Sequence, residues 1–155
     1  MDERRLLIVS HSQTGGTASL VEALVAGARD DQIEGVEVVE RDALDASADE
    51  VMGSGAVVLA TPENFGYMSG AMKYFFDRVY YPCLEHTRGR PYVLVVKARD
   101  DGQGALRSVE RIVTGLAWRA VQPPLLVIGP VTDADRDAAR ELGMTMAASL
   151  SLDLF

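Results

Sequence analysis

The amino-acid sequence predicts an α/β protein, a doubly wound five-stranded parallel sheet with helices on both faces. Two observations carry this. Five short runs are near-continuous in Val, Leu and Ile, as strands covered on both faces must be. Longer amphipathic segments alternate with them, and no low-complexity linker divides the 155 residues. Strand–helix–strand crossovers of this kind are right-handed and give a parallel sheet. The length fits one domain, 1–155.

The first strand is predicted over Arg5–Ser10. A helix follows, in which Leu20, Val21, Leu24, Val25 and Ala28 recur on one stripe. Val36–Glu40 is the second strand, and Asp45–Met52 carries a short, poorly patterned helix. Ala56–Ala60 is the third strand. The next helix places Met68, Met72, Phe75, Phe76 and Val79 on one face, with Ser69 as a candidate cap and Phe75 and Phe76 as core. Tyr92–Lys97 is the fourth strand, followed by a helix from about Ala105 to Leu116. Leu125–Ile128 is the fifth, and Thr132 is placed to cap a last helix from Asp133. Two strand orders, 3-2-1-4-5 and 2-1-3-4-5, fit this pattern. In both, a ligand sits beyond the carboxyl ends of the strands. The loops of interest are therefore Ser10–Thr17, Thr61–Ser69, Arg99–Gly104 and Gly129–Asp133.

A formal charge of −8, with no Lys/Arg cluster, disfavours nucleic-acid binding. Acidity suits a carrier that docks on basic partners. One cysteine, Cys83, cannot form an internal bridge and fits a reducing, cytoplasmic compartment. The charged start, Met1 to Arg5, leads into too few apolar residues for a signal peptide or membrane span. His11 and His86 lack companions at metal-ligand spacing, so no metal is expected. No Cys-x5-Arg loop is present. A receiver domain would need acids where Ser10 and Thr61 stand.

The stretch SHSQTGGTASL, Ser10 to Leu20, sets five hydroxyls and two adjacent glycines between the first strand and first helix. A helix N-terminus offers unpaired N–H groups and about half a positive charge, which suit a phosphate. The loop lacks the Lys of a GxxxxGK[ST] sequence and the GxGxxG spacing. Hydroxyls and amides alone suit a monophosphate. The plainer alternative is that Ser12 or Thr14 only caps the helix.

Ser12-Gln13-Thr14-Gly15-Gly16-Thr17 resembles the Ser-x-Thr-Gly-x-Thr phosphate loop of flavodoxins and flavodoxin-like reductases. The resemblance implies the flavodoxin-like strand order 2-1-3-4-5 and gives Ser12, Gln13, Thr14, Gly15, Gly16 and Thr17 to the FMN phosphate. Gly16 stands where Asn is common in that family.

After the third strand comes TPENFGYMSG, Thr61 to Gly70. It resembles the corresponding segment of quinone reductases related to tryptophan-repressor-binding protein. NADPH-dependent FMN reductases carry a similar Pro-Glu-x-x-Gly pattern. The resemblance assigns Thr61, Pro62, Glu63, Asn64, Phe65 and Gly66 to the flavin ring. Phe65 has two readings, a ring stacked on flavin or a plug of the core. Glu63 has three: a proton relay, a charge repelling the reduced ring, or a solvated loop carboxylate.

The third loop, ARDDGQGAL, borders the flavin's other side in flavodoxins, which makes Arg99, Asp100, Gly102 and Gly104 cofactor-binding candidates. The aromatic residue typical there is absent, so the ring face is expected to stay open to a hydride donor. Arg99 would meet an NADPH phosphate or form an exposed salt bridge. Tyr80, Tyr81 and Leu84 would seal a homodimer or tuck under the sheet edge, as would Trp118.

Together these features imply an FMN-dependent oxidoreductase using NAD(P)H as co-substrate and passing hydride or electrons to a quinone, flavin or similar acceptor. No side-chain acid or base is expected, because the chemistry belongs to flavin N5. The alternatives are a flavodoxin-type one-electron carrier serving a redox partner protein, and a cofactor-free binding module of the same fold.

Overall fold

The structure, a computed structural model, describes residues 4–155; what the sequence says of Met1 to Glu3 lies outside them. In chain order the elements are β1 Arg5–Ser10, α1 Gly16–Ala28, β2 Glu37–Asp42, α2 Ala48–Met52, β3 Ala56–Asn64 and β4 Tyr67–Met68. Then follow α3 Gly70–Cys83, β5 Pro91–Ala98, α4 Gln103–Gly115, β6 Arg119–Ala120, β7 Leu125–Ile128 and α5 Asp133–Ser151.

The sheet runs β2-β1-β3-β5-β6, with β7 also pairing β5. The five long strands therefore follow the order 2-1-3-4-5, all parallel. The described residues hold seven strands rather than five. The outer strand is split: β6 pairs the start of β5 at Pro91 and Tyr92, and β7 pairs its end from Val95 to Ala98. Pro123 and Pro124 lie in the gap, where they remove two backbone donors at a sheet edge that tolerates their loss. The seventh strand, β4, folds back antiparallel on β3.

Alternation along the strands divides the core. Leu6 and Ile8 face α1 and α5 with Val58, Val93 and Val95. Leu7 and Val9 face the other side with Leu59, Leu94, Phe75, Phe76 and Val109. Each such Leu or Val, wholly buried, contributes roughly 1.5–3 kcal/mol. The helix pair α1–α5 is closed by two glycines. A Cβ on Gly27 would run into the Arg140 carbonyl, and one on Gly143 into that of Leu24. Ser69 caps α3 through Met72 N at 3.2 Å. Thr132 forms a capping box with Asp135 on α5. Trp118 is buried and donates from Nε1 to Thr87 Oγ1 at 2.8 Å, while Tyr81 stays exposed on α3.

The register brings the carboxyl ends of β1, β3 and β5 side by side. Ser10 pairs Ala60, Thr61 pairs Val96, and Pro62 pairs Lys97. The loops leaving these strands meet at one edge.

Candidate functional site at the carboxyl edge of the sheet

The first loop turns through Gly15, whose φ of 97° lies in the left-handed region, into α1 at Gly16. Ser12 reaches over this turn. Its Oγ accepts from Gly15 N at 3.2 Å and Ala18 N at 3.1 Å. Capping therefore occupies Ser12, but it leaves donors over. Among the described residues the N–H groups of Thr14, Gly16 and Thr17 have no acceptor in the chain. Gln13, Thr14 and Gly15 are exposed, whereas Thr17 is buried. The loop thus presents several free donors at the positive end of a helix, an arrangement that suits an anion.

The second loop is a β-hairpin. Pro62 does not end β3, which continues to Asn64; Glu63 then pairs Met68 and Asn64 pairs Tyr67. The two-residue turn, Phe65-Gly66, has φ values of 53° and 70°, the signs of a type I′ turn. Glycine takes this backbone without cost. A bulky residue such as phenylalanine pays roughly 1–2 kcal/mol. Phe65 is also fully exposed, at 107%. Its reading as a core plug is thereby corrected, since the turn aims the ring at solvent beside the first loop.

Hydrogen bonds hold the hairpin from three sides. Asn64 Nδ2 donates to Gln13 Oε1 at 2.7 Å, tying it to the first loop. Glu63 Oε2 accepts from Ala105 N at 3.1 Å, in the first turn of α4. That contact corrects the solvated-carboxylate reading of Glu63 and places its charge at the favourable end of the helix. Thr61 is buried, and its Oγ1 accepts from Ser69 N at 3.0 Å. Ser108 Oγ accepts from Met68 N at 3.1 Å. The approach of α4 is so close that a Cβ on Gly104 would overlap the Gly66 carbonyl.

In the third loop Arg99 and Asp100 are exposed, and among the described residues neither makes a hydrogen bond or ion pair. The exposed salt bridge expected for Arg99 is therefore absent. Gly102, φ 71°, is the N-cap of α4 and packs on Leu126. Asp101 Oδ1 accepts from Gln103 N at 3.1 Å.

One residue at this edge escaped the sequence reading. Lys97, near the end of β5, lays its side chain against Gly16, where an added Cβ would stand 3.1 Å from Lys97 Cε. Its position at the end of an apolar strand run gave no signal. Only the pairing of β5 with β3, and the fall of α1 across them, brings it under the first loop.

Two cavities need separating from this edge. A groove of about 520 Å³ flanks the first loop between α1 and β2, lined by Ser10, Ser12, Val25, Arg29 and Asp42 among others. The larger, about 680 Å³, lies at the opposite end of the strands, around Arg4, Arg90 and Arg119. It shares no residue with the three loops, whose mutual contacts carry more weight than cavity size. Burial pushes the Cys83 thiol up to about 11, and its Sγ sits 3.8 Å from Ala48 O rather than at this edge. Among the described residues no three His, Cys, Asp or Glu are grouped to hold a metal, and no helix is long and apolar enough to cross a membrane.

The fold is shared with an archaeal flavodoxin, at a TM-score of 0.81 and 19% identity over 94% of this chain and 98% of that one. A WrbA-like flavodoxin from Agrobacterium tumefaciens superposes at 0.77, with 17% identity over 96% of this chain and 98% of that one. In sequence, a flavodoxin of Aquifex aeolicus (strain VF5) is 32% identical over 75 residues, 48% of this chain and 40% of that protein. The chain spans about half or less of the length of the curated relatives it matches. Over residues 6–133, spanning all three loops, the sequence matches the NADPH-dependent FMN reductases, and the chain belongs to that family.

Proposed function

We propose that this protein binds FMN across the three loops and uses it to pass hydride from NAD(P)H to a quinone, flavin or similar small acceptor. The observation that carries this is the set of free donors at Thr14, Gly16 and Thr17 beside a strained, exposed Phe65. Donors without acceptors at a helix N-terminus fit a phosphate. Strain kept in a turn points to a function for the residue that bears it. The site residues thus fit the group named by the family.

When bound, FMN supplies a hydride-accepting N5, and the protein supplies position and electrostatics. Ser12 fixes the first loop, so Thr14, Gly16 and Thr17 present their donors without reorganising. The Phe65 and Gly66 N–H groups, free of acceptors in the chain, would face the ring's polar edge. The Phe65 side chain would give it an apolar wall. Glu63 positions the hairpin through its bond to the first turn of α4. Arg99, exposed and without an anionic partner, would meet the dinucleotide phosphate.

The charge of −8 favours a second reading, an electron carrier that docks on a basic partner protein. The exposed Tyr81 on α3 is where a homodimer would form, and sedimentation of Tyr81→Arg against the parent protein tests it. Flavin fluorescence titration tests the shared premise. Saturable quenching at one FMN per chain is expected. Folded protein that leaves FMN fluorescence unchanged at micromolar concentrations would leave only the cofactor-free binding module.

A further inference from the structure

Lys97 belongs to β5, where Val93 and Val95 face the α1–α5 side of the sheet. Two residues further on the same face, Lys97 extends that line to the head of α1. Its stem lies so close to Gly16 that an added Cβ would stand 3.1 Å from Cε and 3.3 Å from Cγ. The absence of a side chain at Gly16 leaves the channel through which the lysine runs. Gly16 stands where Asn is common in the flavodoxin-like phosphate loops it resembles. The structure fills that space with a cation from another strand.

The electrostatics of this placement are one-sided. The ammonium's hydrogen bond is a long one, 3.4 Å to the neighbouring Ala98 carbonyl. No carboxylate pairs with it among the described residues, although the chain carries 23 Asp and Glu. The side chain is part-buried and lies beside the helix end that already bears positive potential, where a lysine is unfavourable. Two positive groups set side by side and left unneutralised are stabilised by an anion between them.

We propose that Lys97 is the specificity-determining cation of the phosphate site, selecting FMN over unphosphorylated flavin. This rests on the FMN reading above. Thr14, Gly16 and Thr17 donate to the phosphate from the loop, and Lys97 approaches it from the sheet below. A neutral loop alone would discriminate less between a phosphate and a hydroxyl.

The test is to titrate the protein, Lys97→Met and Lys97→Arg with FMN and with riboflavin, at low and moderate salt. Methionine keeps the stem against Gly16 and removes only the charge. Losing a charge-assisted hydrogen bond should weaken FMN roughly ten- to a hundredfold while riboflavin changes less than about twofold. Arginine should recover most of the FMN affinity, and the methionine variant should lose part of the salt dependence. Equal weakening of both ligands would make Lys97 structural and overturn the proposal. So would an FMN-to-riboflavin ratio unchanged in both variants, while FMN binding itself stood. Failure of the parent protein to bind FMN at all would instead remove the site reading together with this one.

Discussion

Asn64 donates from Nδ2 to Gln13 Oε1 at 2.7 Å, joining side chains 51 residues apart in the chain. The bond spans the two loops that the FMN reading assigns to opposite ends of one ligand. Either partner alone is an exposed or part-buried amide of little weight for stability. Its value lies in fixing the distance between the loops before a ligand arrives.

Gln13→Ala and Asn64→Ala are therefore expected to weaken FMN binding by similar amounts, and the double variant by little more than either. A double-mutant cycle on FMN affinity should return a coupling of about 0.5–1.5 kcal/mol. Additive losses would show that the two amides act separately.

Phe65 bears a left-handed backbone that asparagine adopts more readily. Phe65→Asn should raise stability by up to about 1 kcal/mol in urea denaturation and weaken FMN binding. Loss of stability together with affinity would mean that the ring packs in the fold, contrary to its exposure.

Gly104 leaves no room for a Cβ beneath the Gly66 carbonyl. Gly104→Ala should force α4 from the hairpin at a cost of about 1–3 kcal/mol and lower FMN affinity. Gly27→Ala, which closes the α1–α5 contact instead, should destabilise comparably with much smaller effect on affinity. Comparing the two variants in thermal melts and FMN titrations separates hairpin geometry from global stability.

Much of this architecture was legible because buried parallel strands must be apolar on both faces. β1, β3 and β5 stand out for that reason. Edge strands carry less of this signal: β2 ran on to Asp42 through exposed residues, and two-residue β6 gave no pattern at all. The Phe65-Gly66 turn was hidden because phenylalanine is a poor marker for a type I′ hairpin, whose strongest signals are Asn-Gly and Asp-Gly. Glu63 and Lys97 act on partners 42 and 81 residues away, Ala105 and Gly16. No local pattern reports such meetings.

Cys83 supplies a pH dependence remote from the site. Burial, the main cause, pushes its thiol from the ordinary 9.0 up to about 11. The folded protein thus holds a proton that the unfolded chain releases above about pH 9. The stability this represents, roughly 3 kcal/mol, is fully present below that pH and lost as pH rises toward 11. Cys83→Ala should show a flatter decline in urea-melt stability across that window. An identical decline in both proteins would rule out the thiol as its cause.

Hydride transfer from a nicotinamide to FMN on this protein is the proposed reaction. It is tested most directly by mixing the FMN-loaded protein anaerobically with NADPH, then NADH, while following the flavin's visible absorbance. Rapid bleaching by at least one of them is the predicted result. Flavin that stays oxidised with both, yet bleaches at once with dithionite, would contradict the claim and leave the carrier reading in its place.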